Sequence, residues 1–326
     1  MLGRLLNYFI NDANTVFVTI SIIFSGLTVV AIYYLGKEIF DRRTGVIAGV
    51  LSITSPNVWF HGEVALTYIV EAFFSTLIAF LCWKIYKSRW ERGVEKYLYL
   101  SAIAIGIAGG IRQNTIVFLL PLWLFSIKGL PLRKIITSFI LLGIICLSWF
   151  IPMIQMTGGY DVYREAFREL WLFNTGRLSV FERGWDSFKL FSLLLCKFTI
   201  YSIGAGILIL GLAAYSIIRN KRLKTLDNSK VLFFATWIMP SFMFYLFIFI
   251  HPANPGYVLI FIPALLVLTA FAVGYMAKEF LKIISKDYFN KIAFFTVSIN
   301  ALFFYFPTIL SLIMLLKPMT KTLTLC

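Results

Sequence analysis

Two glutamates, Glu63 and Glu71, and a tyrosine, Tyr68, fall within WFHGEVALTYIVEAFFS (59–75), a stretch otherwise apolar enough to enter a membrane. On an unbroken helix turning 100° per residue, Glu63, Thr67, Glu71 and Ser75 advance by about 40° per step with Tyr68 beside them. All five then occupy an arc of roughly 140°, and Glu71 lies about 12 Å further along the axis than Glu63. An ionised carboxylate at that depth costs several kcal/mol unless it meets a partner or water, so the stripe is expected to face a polar cavity. Such a cavity could serve chemistry or transport. The plainer reading makes Glu63 a solvated loop residue and Glu71 a hydrogen-bonded strut between helices.

Three further stretches carry polar groups between apolar runs. AGGIRQNTIVFLLPL (108–122) sets Arg112, Gln113 and Asn114 between two short apolar segments. The planar fork of an arginine suits bidentate binding of a phosphate or carboxylate, and the alternative is that Arg112 snorkels to lipid headgroups. WFIPMIQMTGGYDVYREAFRELWLFNTG (149–176) has Val162, Ala166, Phe167, Leu170 and Trp171 at helical spacing, with Asp161, Arg164, Glu165, Arg168 and Glu169 on the other face. That pattern describes a short amphipathic helix at a membrane surface, its paired charges mostly solvated, entered through a turn at Gly158, Gly159 and Tyr160. FIHPANPGYVLIFIPALL (249–266) places His251 and Tyr257 on either side of a turn stiffened by Pro252 and Pro255. Tyr257 is equally suited to an interfacial anchor. The two histidines, His61 and His251, come near carboxylates or carbonyl-rich turns, but no ligand spacing defines a metal site. Cys82, Cys146 and Cys196 fall in apolar segments, form no CxxC, and read as packing residues.

The elements that must hold these groups are membrane helices. With 60% hydrophobic and 17% aromatic residues and a mean hydropathy of +0.85, the chain is far more apolar than a soluble domain. Runs of roughly 20 apolar residues recur almost from end to end. About ten spans are expected, near 15–35, 44–60, 64–83, 97–111, 114–127, 135–155, 190–218, 231–250, 257–277 and 292–316. The expected fold is therefore an all-α, polytopic transmembrane bundle forming one domain over 1–326, with 156–189 as a long extracytoplasmic loop. The loops KEIFDRR, KIYKSRWERGVEK, KGLPLRK, RNKRLKTLDNSK and 278–291 hold 20 of the 30 lysines and arginines but 7 of the 15 acids, which assigns them to the cytoplasm and the N-terminus to the outside. The net charge of +15 is explained by this topology and by anionic headgroups, and no nucleic-acid partner is expected.

YYLGKEIFDRRTGVIAGVLSITSPNVWFHGEVALTYIVEAFF (33–74) resembles the second to fourth spans of the multi-spanning GT-C glycosyltransferases, which include protein mannosyltransferases and lipid A aminoarabinose transferases. GGIRQN, W-x-x-P followed by GGY, and HPANPGYVLIFIPAL look like the same group, so the resemblance runs from about residue 20 to 280 through the order of loose motifs. It implies transfer of a sugar from a polyprenyl-phosphate donor to a lipid, glycan or protein acceptor at the extracytoplasmic face of the membrane, with a carboxylate as general base. Arg112, and with it Arg164, would hold the donor phosphate, and Glu63 and Glu71 are the carboxylates available. His61, Tyr68, Gln113, His251 and Tyr257 would line the cavity. No cofactor is firmly implied, and a divalent cation is compatible with the class. Such relatives begin with an additional span and a first loop bearing a catalytic aspartate. MLGRLLNYFINDAN looks like the tail of that loop, so this chain is expected to lack the span and the loop, and Tyr68 stands near where several relatives place an aspartate. A carrier-lipid or solute transporter would use a similar cavity but would be expected to show paired inverted halves, which the sequence does not. A catalytically inert membrane subunit is the third reading.

Overall fold

The structure is a computed structural model and describes residues 12–219, 227–281 and 298. Among them the regular elements are all helical. Helix α1 (Ala13–Ile39) starts where the Asp12 carboxylate accepts from the backbone N–H groups of Asn14 and Thr15, satisfying donors that the first turn leaves free. Asp12, expected in the tail of a loop, is thus the N-cap. Asp41 does the same for α2 (Arg42–Ile53), accepting from Thr44 N at 2.7 Å. The two helices run close together, because a Cβ on Gly45 would come within 2.6 Å of the Tyr33 carbonyl oxygen.

The expected span 44–60 is not one helix. Proline lacks an N–H and pushes the residue before it out of the helical region, so α2 ends before Ser55. Ser55 caps α3 (Pro56–Glu63) through Val58 N at 3.4 Å and donates to the Ser202 carbonyl at 2.7 Å. Nor does the next span begin at 64. Val64 is extended, its carbonyl accepts from Ser21 Oγ at 2.8 Å, and α4 (Tyr68–Lys87) starts only after Thr67. The single helical stripe through Glu63, Thr67, Glu71 and Ser75 is therefore interrupted. Tyr68, Glu71 and Ser75 still share α4, while Glu63 ends α3.

Helix α4 is the buried axis of the bundle. Trp237 Nε1 donates to Ser75 Oγ at 2.8 Å, and Ser75 in turn donates to the Ile260 carbonyl, so these two buried polar groups are paired. Against α4 pack α5 (Val94–Ile111) and α6 (Asn114–Ile127), and α7 (Leu132–Thr157) packs on α5. Indole N–H groups fasten them: Trp123 donates to Ser101 Oγ at 2.8 Å and Trp149 to the Gly106 carbonyl at 2.9 Å. The surface helix α8 (Tyr160–Phe173) follows the glycine turn as expected, with no buried residue. A π-turn (Asn174–Leu178) and the short α9 (Val180–Arg183) lead to α10 (Trp185–Ile203) and α11 (Gly206–Arg219). Then come α12 (Asn228–Phe247), a 3-10 turn (Pro255–Ile260) and α13 (Ile262–Leu281).

The expected span 190–218 is also broken: α10 and α11 meet at a 100° bend. Gly204 makes it, with φ 53° and ψ −133°, a region closed to side chains. Gly204→Ala is expected to cost about 1–3 kcal/mol, read as earlier thermal unfolding in detergent; a variant as stable as the parent would place the cause of the bend elsewhere. Among the described residues five helices are long and apolar enough to cross a membrane, or six if the bent pair counts as one. Residues 114–127 and 262–277 form shorter apolar helices, and the span expected at 292–316 lies outside the described residues. The chain is an integral membrane protein with a helical bundle.

Candidate functional site

The site is built from helix ends rather than from one helix face. Glu71, in the first turn of α4, is 2% exposed. Its Oε1 accepts from Thr115 Oγ1 at 2.7 Å, and its Oε2 lies 3.0 Å from Arg112 Nε. Arg112 caps α5 in extended conformation (φ −144°, ψ 113°), which turns its side chain back toward α4 while Thr115 opens α6 one turn later. The Arg112 contact is ionic and not an aligned hydrogen bond. Its guanidinium carbon sits 4.2 Å from the Tyr68 ring centroid and 5.4 Å from that of Tyr257, so cation–π attraction to two rings supplements the carboxylate.

The rings continue the enclosure. Tyr68 packs 5.4 Å from Tyr257 and 5.4 Å from His61, and Tyr257 packs 5.6 Å from the fully buried Tyr245 of α12. The Tyr245 hydroxyl has no hydrogen-bond partner among the described residues. His61 is completely buried, with Nδ1 3.0 Å from the Asn57 carbonyl and Nε2 3.3 Å from Asn254 Oδ1. Burial lowers its pKa below the ordinary histidine value against the two oxygens that raise it. Asn57 donates from Nδ2 to Ser202 Oγ at 2.8 Å and to the Pro255 carbonyl at 2.9 Å. The turn 254–257 is pressed onto this group: a Cβ on Gly256 would lie 2.5 Å from both His61 Nε2 and Tyr68 Cγ.

The structure thus brings together Glu71, Arg112, Tyr68, Tyr257 and His61. It leaves the other candidates outside the cluster. Glu63 is exposed at the end of α3 and, among the described residues, makes no hydrogen bond or ion pair. Arg164 is exposed on α8 and pairs at 3.7 Å with Asp161, as its i,i+3 spacing suggests. His251 is exposed and its Nδ1 accepts from Ala253 N at 3.2 Å, closing its own turn. Gln113 reaches away from the interior, donating to Met153 Sδ at 3.4 Å and accepting from the Tyr163 hydroxyl at 3.3 Å. Among the described residues no three His, Cys, Asp or Glu side chains converge as metal ligands. Sequence reasoning missed Thr115, Tyr245, Asn57 and Asn254. Tyr245 is one aromatic among many in SFMFYLFIF, and nothing local marks it.

Comparison with known proteins bears out the resemblance of the chain to the GT-C membrane glycosyltransferases. Residues 2–155 match the family described as dolichyl-phosphate-mannose-protein mannosyltransferase. The matched segment contains Glu63, Tyr68, Glu71 and Arg112. Among solved structures, the oligosaccharyltransferase of Archaeoglobus fulgidus, in complex with Zn and sulfate, is similar in fold, with a TM-score of 0.51 at 15% identity. The similarity covers 92% of this chain and 44% of that protein, so the chain spans less than half its length. No curated protein matches the chain in sequence.

Proposed function

We propose that the chain takes part in transfer of a sugar from a polyprenyl-phosphate donor to a lipid, glycan or protein acceptor at the extracytoplasmic face of the membrane. The observation that carries the reading is the setting of Arg112. Its Nε faces Glu71, its guanidinium carbon lies 4.2 Å from the Tyr68 ring centroid, and the side chain keeps 16% exposure, through which a phosphate can reach the guanidinium. In this reaction the acceptor hydroxyl oxygen forms a bond to the anomeric carbon, the bond from that carbon to the phosphate oxygen breaks, and polyprenyl phosphate leaves with the electron pair. Arg112 stabilises the charge that grows on the leaving phosphate. Glu71, engaged on both oxygens, positions Arg112. Glu63, exposed at the end of α3, would take the acceptor proton, and Arg164 on α8, next to the Tyr163 that bonds Gln113, would be a second cation for the phosphate.

The experiment is binding and turnover by the full chain in liposomes, with polyprenyl phosphate as the binding probe and polyprenyl-phosphate mannose as the donor. Arg112→Gln is expected to weaken binding of polyprenyl phosphate by tenfold or more, as loss of a charge-assisted bidentate contact would. Glu63→Gln should leave that binding unchanged and lower turnover by about 100-fold or more, the scale of a general base. Equal binding by Arg112→Gln and the parent would end the reading. Movement of the intact donor across the bilayer without release of sugar would favour transport.

A further inference from the structure

Helix α8 presents an apolar half that no described residue covers. At about 100° per residue, Val162, Ala166, Phe167, Leu170 and Trp171 fall within one half of the helix, and Asp161, Arg164, Glu165, Arg168 and Glu169 within the other. No residue of α8 is buried, and Val162, Phe167, Leu170 and Trp171 are 52–61% exposed. Arg164 pairs with Asp161 and Arg168 with Glu165, so the charged half calls for no partner of its own.

Helix α7 supplies a ruler beside it. Residues 135–153 carry no charge, and Ile136, Ile140, Ile144, Leu147 and Ile151 are exposed, as lipid-facing side chains are. At 1.5 Å per residue Lys134 and Met153 stand about 28 Å apart along the axis, close to the thickness of a hydrocarbon core, ~30 Å. Met153 is also where the buried site reaches the edge of the bundle. Its Sδ accepts from Gln113, which follows Arg112 directly and accepts in turn from the Tyr163 hydroxyl of α8. The Tyr163 ring packs 5.5 Å from Phe150 of α7 and 6.3 Å from Phe167. The length of α7 and the uncovered half of α8 therefore mark one level, and Arg112 stands beside it.

We propose that the apolar half of α8 is seated in the lipid leaflet at the C-terminal end of α7, and that Arg112 lies at that leaflet's boundary between hydrocarbon and headgroups. Lipid is the occupant because the uncovered half continues the exposed apolar surface of α7 through the turn at Gly158 and Gly159. The rings of Tyr163 and Trp171 suit such a boundary, each having an apolar body and one polar group. A phosphate carried by a lipid of that leaflet then meets Arg112 without leaving its plane. This last consequence alone rests on the function proposed above.

The test uses the full chain in dioleoylphosphatidylcholine nanodiscs, with the four native cysteines replaced by alanine and single cysteines carrying a nitroxide. All labelled positions are exposed, so the label displaces no core side chain. Relaxation by oxygen, which favours hydrocarbon, is compared with relaxation by a water-soluble nickel chelate. The oxygen-to-nickel ratio should be severalfold higher at Ala166→Cys and Leu170→Cys than at Glu165→Cys and Glu169→Cys, and the first two should lie ~5–10 Å into the leaflet. On α7, Ile144→Cys should be deepest, with Ile136→Cys and Ile151→Cys similarly shallow. If the cysteine replacements unfold the chain, the parent decides: hydroxyl radicals should oxidise Trp171 in nanodiscs severalfold more slowly than a free tryptophan peptide. The proposal is overturned by equal nickel access on both halves of α8, by greatest depth at Ile151→Cys, or by oxidation of Trp171 as fast as the peptide. Exclusion of both reagents from positions 166 and 170 would also overturn it, since that half would then lie against protein. Polyprenyl phosphate is absent from these measurements, so a failed seat and a failed binding test of Arg112 are separate results.

Discussion

Arg112→Met is expected to destabilise the protein by about 3–5 kcal/mol, because it strands the Glu71 carboxylate in the interior with only Thr115 as a partner. The double variant Glu71→Met with Arg112→Met should recover much of that loss, since two apolar side chains of similar volume carry no uncompensated charge. Thermal unfolding of the four proteins in one detergent gives the coupling between the sites directly. If the double variant is as unstable as the single one, the pair does not act as a unit. The same cycle separates architecture from binding: on the function proposed above, the double variant regains its fold but still fails to bind polyprenyl phosphate. Recovery of both would make Arg112 a strut only.

Gly256→Val carries the second large effect. A Cβ at this position already meets His61 and Tyr68 at 2.5 Å, and two further methyl groups leave no room for the turn to stay where it is. Overpacking of this kind costs about 1–3 kcal/mol or more. Tyr68 cannot step aside freely, because its ring also supports the Arg112 guanidinium at 4.2 Å. Loss of polyprenyl-phosphate binding should therefore exceed what the loss of stability explains, and Gly256→Ala should show the same ordering more mildly. A valine variant that binds like the parent would mean that the turn is not part of the site.

The parts of this arrangement that were legible in the sequence are those written in local chemistry. Long apolar runs marked α1, α4, α7 and α12, the glycine pair marked the turn before α8, and a charged residue inside an apolar context marked Glu71 and Arg112. The break at Ser55–Pro56 also carried its signal, a capping serine before a proline, although apolar content alone read through it. The break at 64–67 did not. Val-Ala-Leu-Thr contains neither glycine nor proline, and what holds it extended is a hydrogen bond from Ser21, 43 residues away in sequence. A periodicity argument cannot see that contact, so it joined Glu63 and Glu71 on one face where the chain sets them on separate helices. Thr115 and Tyr245 were hidden for a related reason: their importance lies in what other helices bring to them.

Arg112 and Gln113 are consecutive, yet their side chains leave the backbone in opposite directions, one toward Glu71 in the interior and one toward Met153 and Tyr163. A single peptide unit therefore joins the buried charge to the exposed helix α8. A tilt or lift of that helix is expected to reach the ion pair through that one peptide unit.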